Sequence, residues 1–330
     1  MSLHSHFESQ RPPQVSAVEI LDLRHFSSRH VRPLLEHETR VWAHLMSWDY
    51  RPSADMILRY IDSKILPGYA AVENGRVGGY SFFVYEGSKG VIGDLYSDQS
   101  IRITGNSVER LLATHVIDTL QQSPGIHRIE AQLLQHESGA LSGPFVKQGF
   151  QRFPRLFMVL PLAHSVGMQV HPAPDIEFRR WGEQDFQPTA VVITNAYRNH
   201  IDSEVNDQYR TLNGSLRFLN NIVRFPGCGI FDGNASFVAV HRPSRSVVGA
   251  LLCSRVKDDV GHVTQVCVLP EYRARRIGES LIGLCTMELR SRSFSALSLT
   301  VTEENARAVM LYHRLGFEIK RRFDAFVWEG

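Results

Sequence analysis

Three arginines, Arg273, Arg275 and Arg276, fall in a turn between two patterned stretches. Before them Val266 and Val268 alternate with smaller or polar neighbours as a strand does, and Pro270 stops that strand. After them the apolar positions Leu281, Cys285 and Leu289 recur at helical spacing. The turn therefore opens a helix. The first N–H groups of a helix have no partner inside it and carry the positive end of its dipole, so the natural occupant is an anion, above all a diphosphate. The same residues also suit a basic turn ahead of a surface helix, and the run alone leaves both readings open.

A second patterned pair follows. Leu297-Ser298-Leu299-Thr300-Val301-Thr302 alternates as a strand, and Asn305-Ala306-Arg307-Ala308-Val309-Met310-Leu311-Tyr312-His313-Arg314-Leu315-Gly316-Phe317 comes next. Together the two segments resemble the GCN5-related N-acetyltransferases, the GNAT superfamily. The first matches V-x-P-x-Y-R ahead of that family's pyrophosphate loop, the second matches N-x-x-A-x-x-x-Y-x-x-x-G-F, and both stand in the family's order and separation.

The resemblance implies an α+β fold, each domain a mixed, mostly antiparallel sheet flanked by helices. Two neighbouring strands, here Val266 to Leu269 and Leu297 to Thr302, are expected to splay around the pantetheine arm of acetyl-CoA. Acetyl-CoA is the implied cosubstrate, with no metal. Its contacts fall on Val266, Cys267, Val268, Arg273, Ala274, Arg275, Arg276, Ile277, Gly278 and Glu279. Asn305 either anchors the arm or is an ordinary helix N-cap. Tyr312 is the implied catalytic residue, a general acid for the leaving thiolate, since a phenol with an ordinary pKa near ~10 stays protonated at neutral pH. Backbone N–H groups from Val266 to Val268 would polarise the acetyl carbonyl. Arg276 departs from the loop pattern [R/Q]-x-x-G-x-[G/A], standing at its first glycine. Thr300 departs too, standing where some members place a glutamate base. Glu303, Glu304, His262 or a water relay remain for that role; the plainer readings are a solvated helix entrance for the two glutamates and a surface strand residue for His262.

The acceptor is implied to lie against Tyr197, Asp202, Glu204 and Tyr209, where carboxylates and tyrosines suit a cationic amine. A helix–turn–helix surface capped by Asp202 or Ser203 explains the same residues. The Trp42, Trp48 and Tyr50 cluster reads as packing, and Cys228 as a turn thiol.

The elements that must position these groups occur twice. Strand Val18 to Leu23, helices Arg29 to Leu45 and Ser53 to Ile65, and a hairpin of Gly68 to Glu73 and Val77 to Tyr85 around Asn74-Gly75 come first. Strand Val91 to Tyr96, helix Ser107 to Gln121, strand Ile129 to Leu133, the short stretch Pro144 to Gly149 and strand Phe157 to Leu162 complete the first set. The second set has strand Ile176 to Trp181, helices Gln184 to Asn199 and Ser203 to Val223, hairpin strands Phe237 to His241 and Val247 to Val256, then the two motif segments and a last strand, Phe317 to Trp328. Two copies of one domain is the economical explanation. The reading is a flexible tail 1–16, a degenerate domain 17–163, a linker 164–175 and a motif-bearing domain 176–330. In the first copy Phe145 stands at the tyrosine position and cannot donate a proton, while Arg102 to Ser107 resembles a relic of the phosphate loop.

The composition of the 330 residues, 43% hydrophobic and 21% charged with a formal net charge of +2, is that of a globular protein and offers no case for nucleic-acid binding. Four dispersed cysteines argue against zinc and disulfides and fit a cytoplasmic protein, and no apolar run is long enough for a membrane span. The expected partner is a small-molecule or peptide amine, and the chain is expected as a monomer with internal pseudo-symmetry or as a homodimer. The alternative to an enzyme is a non-catalytic acyl-CoA-binding or scaffold protein that keeps the fold.

Overall fold

The computed structural model describes residues 18–98, 107–164, 169–171, 173–224 and 229–330. The Arg102 to Asn106 stretch and Cys228 lie outside them. In the N-terminal half, β1 (Glu19–Asp22) leads to α1 (Ser28–Met46) and α2 (Arg51–Asp62). Then come β2 (Gly68–Glu73), β3 (Arg76–Glu86), β4 (Lys89–Ser97), α3 (Val108–Gln122), β5 (Arg128–Gln132), α4 (Ser142–Lys147) and β6 (Gln151–Pro161). The C-terminal half runs β7 (Ile176–Arg180), α5 (Phe186–Ala196), α6 (Ile201–Val205), α7 (Leu212–Arg224), β8 (Ile230–Phe231), β9 (Phe237–His241) and β10 (Ser246–Lys257). It closes with β11 (Val260–Val268), α8 (Ile277–Ser291), β12 (Ala296–Thr302), α9 (Ala306–Arg314) and β13 (Glu318–Glu329).

The fold is α+β, and the order of elements repeats. The two copies share one sheet, in the order β1-β2-β3-β4-β5-β13-β6-β12-β11-β10-β9-β7. Each half's last strand lies beyond the other's: β13 pairs with β5 of the N-terminal half, and β6 pairs with β12 of the C-terminal half, from Ala296↔Pro161 to Thr302↔Arg155. The core crosses the same seam, since Phe157, Val256, Val260 and Phe323 pack in one cluster with Trp42, Trp48 and Ile57. On β10, Leu251 and Cys253 face one apolar layer and Ala250 and Leu252 the other, the period-2 signature of a strand covered on both faces.

Three elements differ from expectation for local reasons. The helix expected over Ser203 to Val223 is broken. Asn206 accepts from the Gln208 N–H, Thr211 accepts from the Gly214 N–H, and a tight turn separates α6 from α7. Gly214 permits that turn to pack: a Cβ there would lie 2.4 Å from the Gln208 carbonyl oxygen. Strand β6 begins at Gln151, ahead of the expected Phe157, and runs through Pro154. That proline stands past the last β12 partner, with β13 as its strand neighbour, where a missing N–H is tolerated. Strand β11 likewise begins at Val260, ahead of Val266.

Candidate active site

Strands β11 and β12 are parallel partners only from Val260↔Ala296 to Val263↔Leu299. The cause of their separation lies on the other side of β11. Against β10, Leu252 pairs with Gln265 but Cys253 pairs with Val263, so Thr264 is an extra residue, a β-bulge. A bulge bends and twists its strand. Past it, Gln265 to Val268 leave β12, which leaves their β12-facing backbone edge without a strand partner and opens a cleft of about 590 Å³.

Val266, Cys267, Val268, Arg273, Ala274, Arg276, Ile277, Gly278, Glu279, Asn305 and Tyr312 all border this cleft, as do Tyr197, Asp202 and Tyr209. Two of the expected residues do not. Arg275 turns to Asp175 and lies over the Tyr272 ring, and Glu204 pairs with Arg210 at 2.8 Å. Both satisfy their charges elsewhere.

The turn before α8 enters the left-handed region of backbone space twice. Ala274 and Arg276 both have positive φ, 61° and 58°. Arg276 is the N-cap of α8, so the position where the pattern has glycine does adopt the left-handed conformation that glycine adopts without strain. Its guanidinium reaches back to Glu279, donating at 2.8 and 3.2 Å. Glu279 also pairs with Arg314 and His171, each at 3.0 Å. Burial opposes its charge, but the hydrogen bonds from Arg276, His171 and Arg314 outweigh that and hold its pKa at about 2. A carboxylate thus sits in the first turn of α8, where the helix N–H groups favour an anion. Arg273 is spent differently, donating to the Ala196 carbonyl at 2.6 Å and so tying the turn to the end of α5.

Tyr312 is buried on α9 against Phe317. Burial first, and the charge of Asp202 second, push its phenol well above the ordinary tyrosine value, so it is protonated throughout the neutral range. Asn305 caps α9 by accepting from the Ala308 N–H at 3.3 Å, while its amide faces Asp202 at 3.4 Å. Asp202 further accepts from Thr302 and lies 3.5 Å from His200. Opposite, Tyr197 donates to Gln265 at 2.7 Å and stacks on Tyr209 with ring centres 4.5 Å apart.

His262 is not a surface residue. It is buried on β11, bonds Ser298 at 2.9 Å and packs against Trp48. Burial, with a smaller contribution from Arg155, lowers its pKa to about 4 and keeps it neutral at pH 7. Glu303 and Glu304 are exposed, and Glu303 pairs with Arg322 at 3.4 Å. Neither lines the cleft. Arg155 and Gln132, from the N-terminal half, do line it, and no motif in their surroundings marks them.

The matching place in the N-terminal half is smaller. Beyond Ile92↔Ala131, β4 and β5 also separate, around a cavity of about 220 Å³. The His136 ring bonds the Leu95 carbonyl there at 2.6 Å. Counted from the first rung of each parallel ladder, Leu95 is the counterpart of Val266. Phe145 is fully buried and stacked on Phe326 at 4.2 Å. Trp42 and Tyr50 stack at 4.8 Å as buried packing. Among the described residues, no group of three His, Cys, Asp or Glu is placed to hold a metal, and no helix is long and apolar enough to cross a membrane.

Residues 206–317 match the model of the acetyltransferase (GNAT) family. A mycothiol acetyltransferase of Thermobifida fusca is 37% identical over 98 residues, covering 27% of this chain and 30% of that relative. Among solved structures, a tandem GNAT protein from the clavulanic acid biosynthesis pathway superposes with a TM-score of 0.62 at 15% identity, covering 95% of this chain and 98% of its own. A GCN5-related N-acetyltransferase from Sphaerobacter thermophilus gives 0.60 at 17% identity, covering 96% of each. At such identities these two likenesses speak for the fold.

Proposed function

We propose, from the premise that this chain is a member of the GNAT superfamily, that it is an acetyl-CoA-dependent N-acetyltransferase acting on a primary amine, with its chemistry in the C-terminal cleft. The observation that carries the proposal is the position of Tyr312. A buried, protonated phenol faces the same cleft as the open edge of β11 and the start of α8. In this reading the α8 turn with Arg276 and Arg314 holds the diphosphate, and the backbone of Val266 to Val268 holds the pantetheine arm and acetyl carbonyl.

The amine nitrogen attacks the thioester carbonyl, a C–N bond forms, and the C–S bond breaks. The acceptor's ammonium first gives one proton to water so that the neutral nitrogen can attack, and the nitrogen gives a second to water once the C–N bond has formed. Tyr312 gives its proton to the departing thiolate and recovers one of these from solvent. The acceptor lies between Tyr209, Asp202 and Thr300. The smaller cavity, where His136 occupies the Leu95 carbonyl, and the buried Phe145 support assigning turnover to the C-terminal copy alone.

A screen of primary amines for coenzyme A thiol release, paired with thermal-shift binding of acetyl-CoA, tests this. Release that depends on both amine and acetyl-CoA is expected. Binding without release on any amine would favour a second reading, a non-catalytic acyl-CoA-binding protein. One observation favours that reading: the Glu279 carboxylate already neutralises the arginines that a diphosphate would meet.

A further inference from the structure

The N-terminal half places a cation in the C-terminal cleft. Arg155 stands on β6, the strand exchanged across the seam, and lines the cleft together with Gln132 of β5. Among the described residues its partners are neutral. It donates to Gln132 at 2.9 Å and to Thr300 at 3.5 Å, and it lies 5.9 Å from the Phe323 ring centre. Its Nε is buried with no hydrogen-bond partner. A guanidinium held this way, partly desolvated and offered no carboxylate, is short of an anion.

A negative charge stands further along the same strand edge. Thr302 donates to Asp202, and Arg155 donates to Thr300. Residues two apart on a strand share a face, about 7 Å apart. Asp202 lies on the side of the cleft where its charge reaches Tyr312, while Arg155 lies where its charge reaches His262. Both charges reach Tyr209, which lines the same cleft.

We infer that the acceptor carries a carboxylate as well as its amine, with Arg155 binding the carboxylate and Asp202 orienting the ammonium toward Tyr312. The acceptor class is thus a small amino acid or a comparable zwitterion, and the N-terminal half contributes to specificity without turnover of its own. This inference rests on the transferase reading of the cleft.

The test compares α- and ω-amino acids, each with its own carboxamide, as acceptors for the full-length protein and for Arg155→Gln and Arg155→Lys. The acids should exceed their amides in kcat/KM by about 10- to 100-fold, the scale of one charge-assisted hydrogen-bond pair. Arg155→Gln should remove most of that preference, Arg155→Lys should retain part of it, and acetyl-CoA affinity should be unaltered in both. Amides used as well as acids, or an Arg155→Gln loss that is equal for both members of each pair, would overturn the inference while leaving the transferase intact. If no acceptor releases thiol, the transferase reading itself fails, and acceptor recognition is read from calorimetry instead. Amino acids titrated into protein saturated with coenzyme A should bind more tightly than their amides, and only while Arg155 is present; equal binding overturns the inference.

Discussion

Val263 faces Leu299 in the last rung of the β11–β12 ladder, and everything that makes the cleft begins one residue later. Thr264 is the bulge that turns β11 aside, and Thr300 is the first β12 residue whose β11-facing edge is open. Two strands hydrogen-bonded along their whole length would leave no room between them. The wedge arises because an inserted residue breaks the pairing register at one point.

Tyr312→Phe should lower kcat by about 10² to 10⁴ while leaving the acetyl-CoA dissociation constant nearly unaltered, because the donor acts on charge that develops only as the thiolate leaves. Because burial and Asp202 raise the phenol, the wild-type rate should show no loss from Tyr312 ionisation up to about pH 10. Single-turnover thiol release across pH checks both. Retained activity in a folded Tyr312→Phe protein would remove Tyr312 from the chemistry.

At Arg276 the comparison is between Gly and Ala. Both substitutions remove the guanidinium that pairs with Glu279, so their difference isolates the backbone. With φ at 58°, Arg276→Gly should be more stable than Arg276→Ala by about 1 kcal/mol, the reverse of the order inside a right-handed helix. Urea unfolding measures it, and an Ala variant as stable as the Gly variant would show an unstrained turn.

His262 should make stability depend on pH. Its folded pKa, about 4, lies below the ordinary 6.5, so the unfolded chain takes up the proton first. The contribution is fully present above about pH 6.5, shrinks as pH falls, and levels off below about 4, with a total of up to about 3 kcal/mol. Unfolding curves between pH 7 and 4 should therefore fall more steeply for the wild type than for His262→Gln. Parallel curves would show that the imidazole is not held neutral by burial.

The exchanged strands predict that neither half is stable alone. A fragment ending after Leu162 lacks β13, which covers β5 and shares nine paired positions with β6. Separate fragments should lack a cooperative transition, and co-expressed fragments should associate and recover one. A stable N-terminal fragment with the chain's own melting temperature would contradict this.

The elements themselves were legible in the chain because their signals are local. The Asn74-Gly75 hairpin, the spacing of Leu281, Cys285 and Leu289, and the Tyr312 helix each depend on neighbours a few residues away, and the structure has them within a few residues of expectation. The repeat followed from the order of those elements, while the family resemblance rested on the motifs around Arg273 and Tyr312 and implied the α+β class. The break at Asn206 was also local, but two polar side chains capping a turn look much like ordinary helix-surface residues until the chain is seen to bend there. What no local pattern carries is partnership across the chain. The bulge at Thr264 exists only relative to β10, the fate of Arg275 is decided by Asp175 a hundred residues away, and Arg155 enters the cleft only because β6 crosses to β12. Strand pairing and the pairing of buried charge are long-range choices, settled by which backbone edges and which desolvated groups find complements once the sheet is assembled. The sequence therefore specified the parts and their order, and tertiary structure alone decided which half would complete the cleft of the other.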